Sequence, residues 1–317
     1  MTVGREGVAN GLTVKERRHL KIGLEACGKA PVGGINRVDH DIAAKPPRTI
    51  RSGRADVDRR RLMDFELDGK RALVTGGTRG IGRAIAEQLA DEGVDLAICA
   101  RDGAQVQGAV AALRARGVRA TGAAVDIADG IALKAWIASA AAELGGLDIV
   151  VANASAMAPA ASEEDWRQSF AVDIMGTVNT VEAALPFLER SPAAAIVIIA
   201  TVSAVETSRE FGVEAYGSMK AALLHYSKSL ANALAPRGIR VNAVSPGSVY
   251  VEDGYWGRIE REQPAVFADV LKANPLGRMG RPDEIATAVA FLASARASFI
   301  IGANLTVDGG ITARIQY

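Results

Sequence analysis

The chain has 317 residues, with 37 Lys+Arg against 36 Asp+Glu, 49% hydrophobic and 5% aromatic residues, and two cysteines. That length holds one large α/β domain or two small ones. Cys27 and Cys99 alone build no disulfide framework, so a reducing, cytoplasmic setting is expected. The longest apolar stretch, residues 193–205, has 13 residues, where a membrane helix needs about 20. The first ten residues lack the apolar core of a secretory signal.

The near-zero net charge is a cancellation. Residues 1–62 carry 14 Lys+Arg and 7 Asp+Glu, whereas residues 63–317 carry 23 and 29. The first segment has few large apolar residues, scattered Gly and Pro, and no sustained period. By composition it buries too little surface to offset the entropy of ordering it. A disordered or misassigned N-terminal extension over 1–62 is therefore expected, with a short basic helix at 14–24 at most. It lacks the interleaved aromatics of a nucleic-acid arm, and neither nucleic acid nor membrane is expected as a partner. The activity is assigned to a single domain over 63–317.

From Lys70 onward, β-rich runs at 71–75, 95–100, 118–125, 148–152, 194–201, 239–244 and 304–307 alternate with helical patterns at 81–91, 104–116, 130–144, 163–189, 215–235 and 282–293. In the first helix Ile81, Ile85 and Leu89 recur every four residues and mark one buried face. Alternation with near-continuous apolar strands predicts an α/β fold: a Rossmann-type, doubly wound parallel sheet covered by helices on both faces. Ligands of such sheets sit beyond the C-terminal strand ends.

After the first strand, Thr75-Gly76-Gly77-Thr78-Arg79-Gly80-Ile81-Gly82 leads straight into a helix. Glycines let the backbone turn tightly and approach a pyrophosphate at the helix N-terminus, where free N–H groups and the helix dipole favour negative charge. The second strand ends Ala100-Arg101-Asp102. An acidic residue there usually holds the ribose hydroxyls of NAD, and arginine accommodates the extra phosphate of NADP. Arg101 and Arg79 suit that phosphate by charge-assisted hydrogen bonding, so NADP(H) is the preferred cofactor. Asp102 could still reach a ribose, which keeps NAD(H) as the alternative.

In the fifth helical pattern, Tyr216 and Lys220 lie four apart on one face. Ser203, just beyond the fifth strand, adds a hydroxyl at the sheet end where the site is expected. Carbonyl reduction needs a hydride donor, which the cofactor supplies, and an acid for the developing alkoxide, which a phenol can supply. Lys220, together with the oxidised nicotinamide, is expected to lower the Tyr216 pKa toward neutrality, with Ser203 holding the substrate oxygen.

The glycine loop, Ser203-x12-Tyr216-x3-Lys220 and Ser245-Pro246-Gly247 together resemble the short-chain dehydrogenase/reductase family over about residues 67–311. The runs Pro275-Leu276-Gly277-Arg278 and Val307-Asp308-Gly309-Gly310 resemble its 3-oxoacyl-[acyl-carrier-protein] reductase and sugar/polyol dehydrogenase branches. The resemblance implies that Asp126-Ile127 hold the adenine, that Asn153-Ala154 line the cofactor ribose and that Val249 contacts the nicotinamide amide. Asp126 also reads as a helix N-cap and Asn153 as a turn former.

Two positions depart from the family pattern. Ser155 stands where glycine is usual, and Asp173 occupies the place of the fourth catalytic residue, an asparagine. In the family that residue's carbonyl is held to anchor a water linked to the lysine; the Asp173 carboxylate could instead pair with Lys220. Between Gly247 and Arg278, Tyr250, Tyr255, Trp256 and Phe267 alternate with charged residues where the family places its substrate lid. Arg258, Arg261 and Lys272 there would suit an acidic carrier protein or a solvated outer face. No His/Cys cluster has metal-ligand spacing, so no metal is expected. The family's packing of its long helices implies a homotetramer, or a homodimer. The substrate is expected to be a small carbonyl or alcohol, or a carrier-bound acyl thioester. A non-catalytic dinucleotide sensor is the competing reading, although it has no need of Ser203, Tyr216 and Lys220.

Overall fold

The computed structural model describes residues 64–157, 162–207, 214–313 and 315. The expected extension at 1–62 lies outside the described residues. From Arg71 the elements run β1 (Arg71–Thr75), α1 (Gly80–Asp91), β2 (Asp95–Ala100), α2 (Gly103–Ala115), β3 (Ala120–Ala124), α3 (Gly130–Leu144), β4 (Ile149–Ala152), α4 (Glu163–Ser169), α5 (Gly176–Leu188), β5 (Ala195–Ile199), α6 (Glu214–Leu234), β6 (Arg240–Pro246), α7 (Tyr255–Glu262), α8 (Pro264–Ala273), α9 (Pro282–Ala293) and β7 (Asn304–Val307). All strand pairs are parallel, in the order β3-β2-β1-β4-β5-β6-β7. This is the doubly wound sheet that the alternation predicts. Among the described residues no helix is long and apolar enough to cross a membrane.

Strand side chains alternate between two apolar layers, as the two-residue period requires. Ala72 and Val74 of β1 face a cluster with Ile85 and Leu89 of α1, Val106 of α2 and Val289 of α9. Leu73 faces the opposite layer, with Ile137 of α3, Val181 of α5 and Leu223 of α6. Ile85 and Leu89 are fully buried, and each contributes about 1.5–3 kcal/mol relative to an exposed position. The helix stripe read from the sequence is thus what fixes α1 to the sheet.

The single helix expected over 163–189 is interrupted. Phe170–Met175 forms a π-helical turn between α4 and α5, in which the Gly176 N–H reaches back five residues to the Ala171 carbonyl. The buried positions across the turn are Ser169, Asp173, Gly176 and Thr177, while Phe170 and Met175 are exposed, so no apolar stripe marks it in the sequence. Gly176 lets α5 start against Ile127, in the turn after β3, since a Cβ there would lie 2.6 Å from Ile127 Cδ1.

β1 and β4 are neighbours although β2 and β3 intervene in sequence. The chain leaves these two strands toward opposite sides, and the crevice beyond their C-terminal ends is the topological switch point.

Candidate active site

At the switch point the β1–α1 loop is built from backbone. Gly76 and Gly80 have φ of +68° and +55°, values that residues with a Cβ rarely adopt. Gly82 packs so closely that a Cβ would stand 2.1 Å from the Gly76 carbonyl oxygen. The loop is fixed by two hydrogen bonds from the end of β2, Gly76 N and Gly77 N donating to Cys99 O at 2.8 and 3.2 Å.

A second set of bonds ties the loop to the end of β4. Asn153 N and Ala154 N both donate to Thr75 Oγ1, at 3.0 and 3.1 Å. Asn153 Nδ2 donates to the carbonyls of Thr75 and Gly76 at 2.9 and 3.2 Å. The Asn153 Nδ2 group thus braces the glycine loop at the position expected to line a cofactor ribose. In the sequence Thr75 reads only as the β-branched end of a strand, with no sign of this joint.

The loop opens into the N-terminus of α1, which has no side-chain cap and no acidic residue in its first turn. Above Gly80 the nearest atom to an added Cβ would be Val251 Cγ2, at 3.7 Å. Open N–H groups, an uncompensated helix dipole and a bare glycine fit a dinucleotide pyrophosphate. Thr78 flanks this end, its hydroxyl 3.3 Å from Gln105 Oε1, and Ile81 is partly buried beneath it.

At the end of β2, Asp102 caps α2 by accepting from Ala104 N and Gln105 N at 2.9 and 3.1 Å. That bonding commits the acidic group to the helix. Arg79 and Arg101 are exposed. Asp126 is also exposed and accepts from Ala128 N at 3.0 Å; the cap of α3 is Asp129 rather than Asp126. Ile127 is buried in the layer beneath α5, so its side chain belongs to the core.

Across the crevice, α6 carries Tyr216 and Lys220 one turn apart, with Lys220 Nζ 5.9 Å from the centre of the Tyr216 ring. Nζ donates to Ile199 O at 3.0 Å and lies 3.2 Å from Asp173 Oδ1. Ser203 lies in the 3-10 turn Val202–Ala204 directly after β5, its N–H donating to Thr201 Oγ1 at 3.2 Å. Gly217 admits this turn against α6, for a Cβ there would be 2.9 Å from Ser203 O. The π-helical turn supplies Asp173, and its other carboxylate oxygen accepts from Ala156 N at 3.4 Å.

In the protein alone the Tyr216 phenol is pushed up to about 12: burial dominates, the Thr201 hydroxyl pulls the other way, and the Asp173 charge adds to the rise.

β6 ends at Pro246, and Gly247 packs under the last strand, where a Cβ would be 2.8 Å from Asp308 Cα. Val249 is buried and forms a lone parallel bridge with Gly280. The stretch beyond it forms α7 and α8. Its cations are engaged locally: Arg261 donates to Glu252 O at 3.1 Å, Lys272 lies 3.3 Å from Asp269, and Arg258 lies over the Tyr255 ring. Among the described residues no group of His, Cys, Asp and Glu could hold a metal ion.

A family model described as Enoyl-(Acyl carrier protein) reductase matches residues 76–312. With this sheet, glycine loop and Ser–Tyr–Lys arrangement, the chain belongs to the short-chain dehydrogenase/reductase family and is an oxidoreductase acting on CH–OH groups. It is 40% identical to isoepoxydon dehydrogenase patN of Penicillium expansum, over 81% of this chain and 100% of that protein. L-Sorbose reductase from Gluconobacter frateurii, solved with NADPH and L-sorbose, superposes with a TM-score of 0.74 at 30% identity, over 80% of this chain and 100% of that one. NAD+-bound xylitol dehydrogenase gives 0.73 at 27% identity, over 77% and 100%.

Proposed function

We propose that this chain interconverts a small carbonyl compound and its secondary alcohol with NADP(H), Tyr216 acting as the general acid/base. The observation that carries the reading is the buried Lys220 held one turn from the half-buried Tyr216 at the switch face of the sheet. Bound, the nicotinamide supplies the hydride for the carbonyl carbon. Tyr216 gives its proton to the carbonyl oxygen, Ser203 holds that oxygen by its hydroxyl, and Lys220 keeps the phenol in place from the same helix face. The phenolate then regains a proton from solvent, which closes the cycle. In the reverse direction Tyr216 takes the alcohol proton.

Preference for NADP(H) is supported by Arg79 and Arg101 at the loop and strand ends, and by the commitment of Asp102 to capping. The NADPH complex of L-sorbose reductase agrees with it. The similarities to L-sorbose reductase and isoepoxydon dehydrogenase favour a small hydroxylated ketone over a carrier-bound thioester. An NAD-linked polyol dehydrogenase is the second reading, favoured by the likeness to xylitol dehydrogenase.

The test is consumption of NADPH and of NADH over a panel of ketosugars, cyclic ketones, quinones and β-ketoacyl thioesters, with Tyr216→Phe as control. Turnover with NADPH is expected and should be lost in Tyr216→Phe, while NADPH binding survives. Wild-type turnover in Tyr216→Phe would refute the assignment, and a higher kcat/KM with NADH would support the second reading.

A further inference from the structure

Carbonyl chemistry calls for a tyrosine and a lysine, but not for a carboxylate against the lysine. Asp173 is 0% exposed and Lys220 2%, with Nζ and Oδ1 at 3.2 Å. Oδ1 has no hydrogen-bond partner of proper geometry, whereas Nζ directs its bond to Ile199 O. What Asp173 offers Lys220 is therefore charge rather than a directed bond. Oδ2 accepts a long hydrogen bond from Ala156 N, at 3.4 Å, which links the carboxylate on its other side to the segment after β4.

A lone ammonium 5.9 Å from the phenol ring would favour the phenolate. Paired with a carboxylate, it presents the ring with opposed charges whose effects largely cancel. Other charges on the elements packed against α6 are engaged elsewhere or exposed. On α4, Arg167 pairs with exposed Glu163, Glu164 is exposed, and Asp165 bonds Ser162. Arg240 of β6 donates to carbonyls at the opposite end of the sheet, and Arg237 beyond α6 pairs with Glu189. Beyond the 3-10 turn, Glu206 accepts from Ala313 N. Glu214 on α6 itself has a partner.

We propose that Asp173 is a positioning residue that cancels the Lys220 charge and thereby keeps Tyr216 protonated, so that the site holds the proton consumed by carbonyl reduction over a wider pH range than a neutral residue at 173 would allow. The raised pKa of the phenol, to which Asp173 contributes after burial, agrees with this. The proposal rests on Tyr216 being the acid/base, but its test needs neither substrate nor cofactor, so the two can fail separately.

Asp173→Asn removes the charge and keeps an oxygen acceptor for Ala156. Tyrosinate absorbance at 295 nm is followed against pH in the ligand-free protein, with Tyr216→Phe subtracted in each background to isolate one phenol. Tyr216 should begin to ionise about one pH unit lower or more in Asp173→Asn, a tenfold or greater change in proton affinity. The pH profile of alcohol oxidation should move to lower pH with it. Ionisation at an unchanged pH in a folded Asp173→Asn protein would overturn the proposal. Should that variant fail to fold, Asp173→Asn combined with Lys220→Gln removes both charges. Tyr216 should then ionise within about half a unit of the parent, and a rise of a unit or more would show that Lys220 was not cancelled, overturning the proposal.

Discussion

Replacing Thr75 by valine tests the joint between β1 and β4 on which the cofactor end of the site is built. Valine fills the same space at a position that is 1% exposed, but it leaves Asn153 N and Ala154 N without the oxygen they share at 3.0 and 3.1 Å. A buried donor stripped of its acceptor costs about 1–3 kcal/mol. Both donors are only part-buried, which puts the joint loss in the lower part of twice that range, at about 2–4 kcal/mol. In a domain of this size each kcal/mol lowers the melting temperature by about 2–4 °C, so Thr75→Val should melt roughly 5–15 °C below the parent. Thr75→Ser keeps the oxygen and should stay within about 4 °C. Because the Asn153 amide is anchored through the same joint, NADPH affinity measured by fluorescence titration should fall in the valine variant and hold in the serine variant. Scanning calorimetry showing Thr75→Val within about 2 °C of the parent, with unchanged NADPH affinity, would refute the account of this joint.

Two further outcomes follow from buried groups. Burial alone would raise the Asp148 carboxyl, but hydrogen bonds from Arg71 and Ser191 more than reverse this and hold it below the usual carboxylate range. The stability it contributes is present above about pH 4 and is lost as pH falls below that value. Asp148→Asn should accordingly cost about 2 kcal/mol in urea denaturation at pH 7, with the gap to the parent narrowing as the pH falls below about 4; a gap independent of pH would contradict the assignment. Cys99 is fully buried and its thiol is pushed up to about 12 by that burial. Peptide mass spectrometry should find it unalkylated by iodoacetamide at about pH 8 in the native protein and fully alkylated in urea, since only the thiolate reacts.

The Ser203, Tyr216 and Lys220 spacing was legible because each residue is placed by its own local element. A strand end fixes Ser203, and one helical turn joins the other two. The α1 stripe and the strand alternation were legible for the same reason. What escaped depends on contacts between distant segments. Thr75 meets Asn153 only because β1 and β4 become neighbours across the switch point. The direction of the Tyr216 shift depends on how deeply α6 is packed, which no spacing records. Asp102 is the intermediate case: an acidic residue just before a helix signals a cap, yet the same position signals a ribose contact, and only the bonds to Ala104 and Gln105 decide between them.

The widened turn at Phe170–Met175 makes chain length, and not only residue identity, a condition of the site. Ser169 and Asp173, both 0% exposed, lie on either side of the point where bonding slips by one residue. Each residue of a regular helix advances the azimuth by about 100°. Losing one residue here would restore an unbroken α-helix and improve its own hydrogen bonding, while rotating α4 by about that angle relative to α5. Either Asp173 would then turn away from Lys220 or Ser169 would leave its buried position. The segment can thus accept exchanges of side chain far more readily than a change of one in its count.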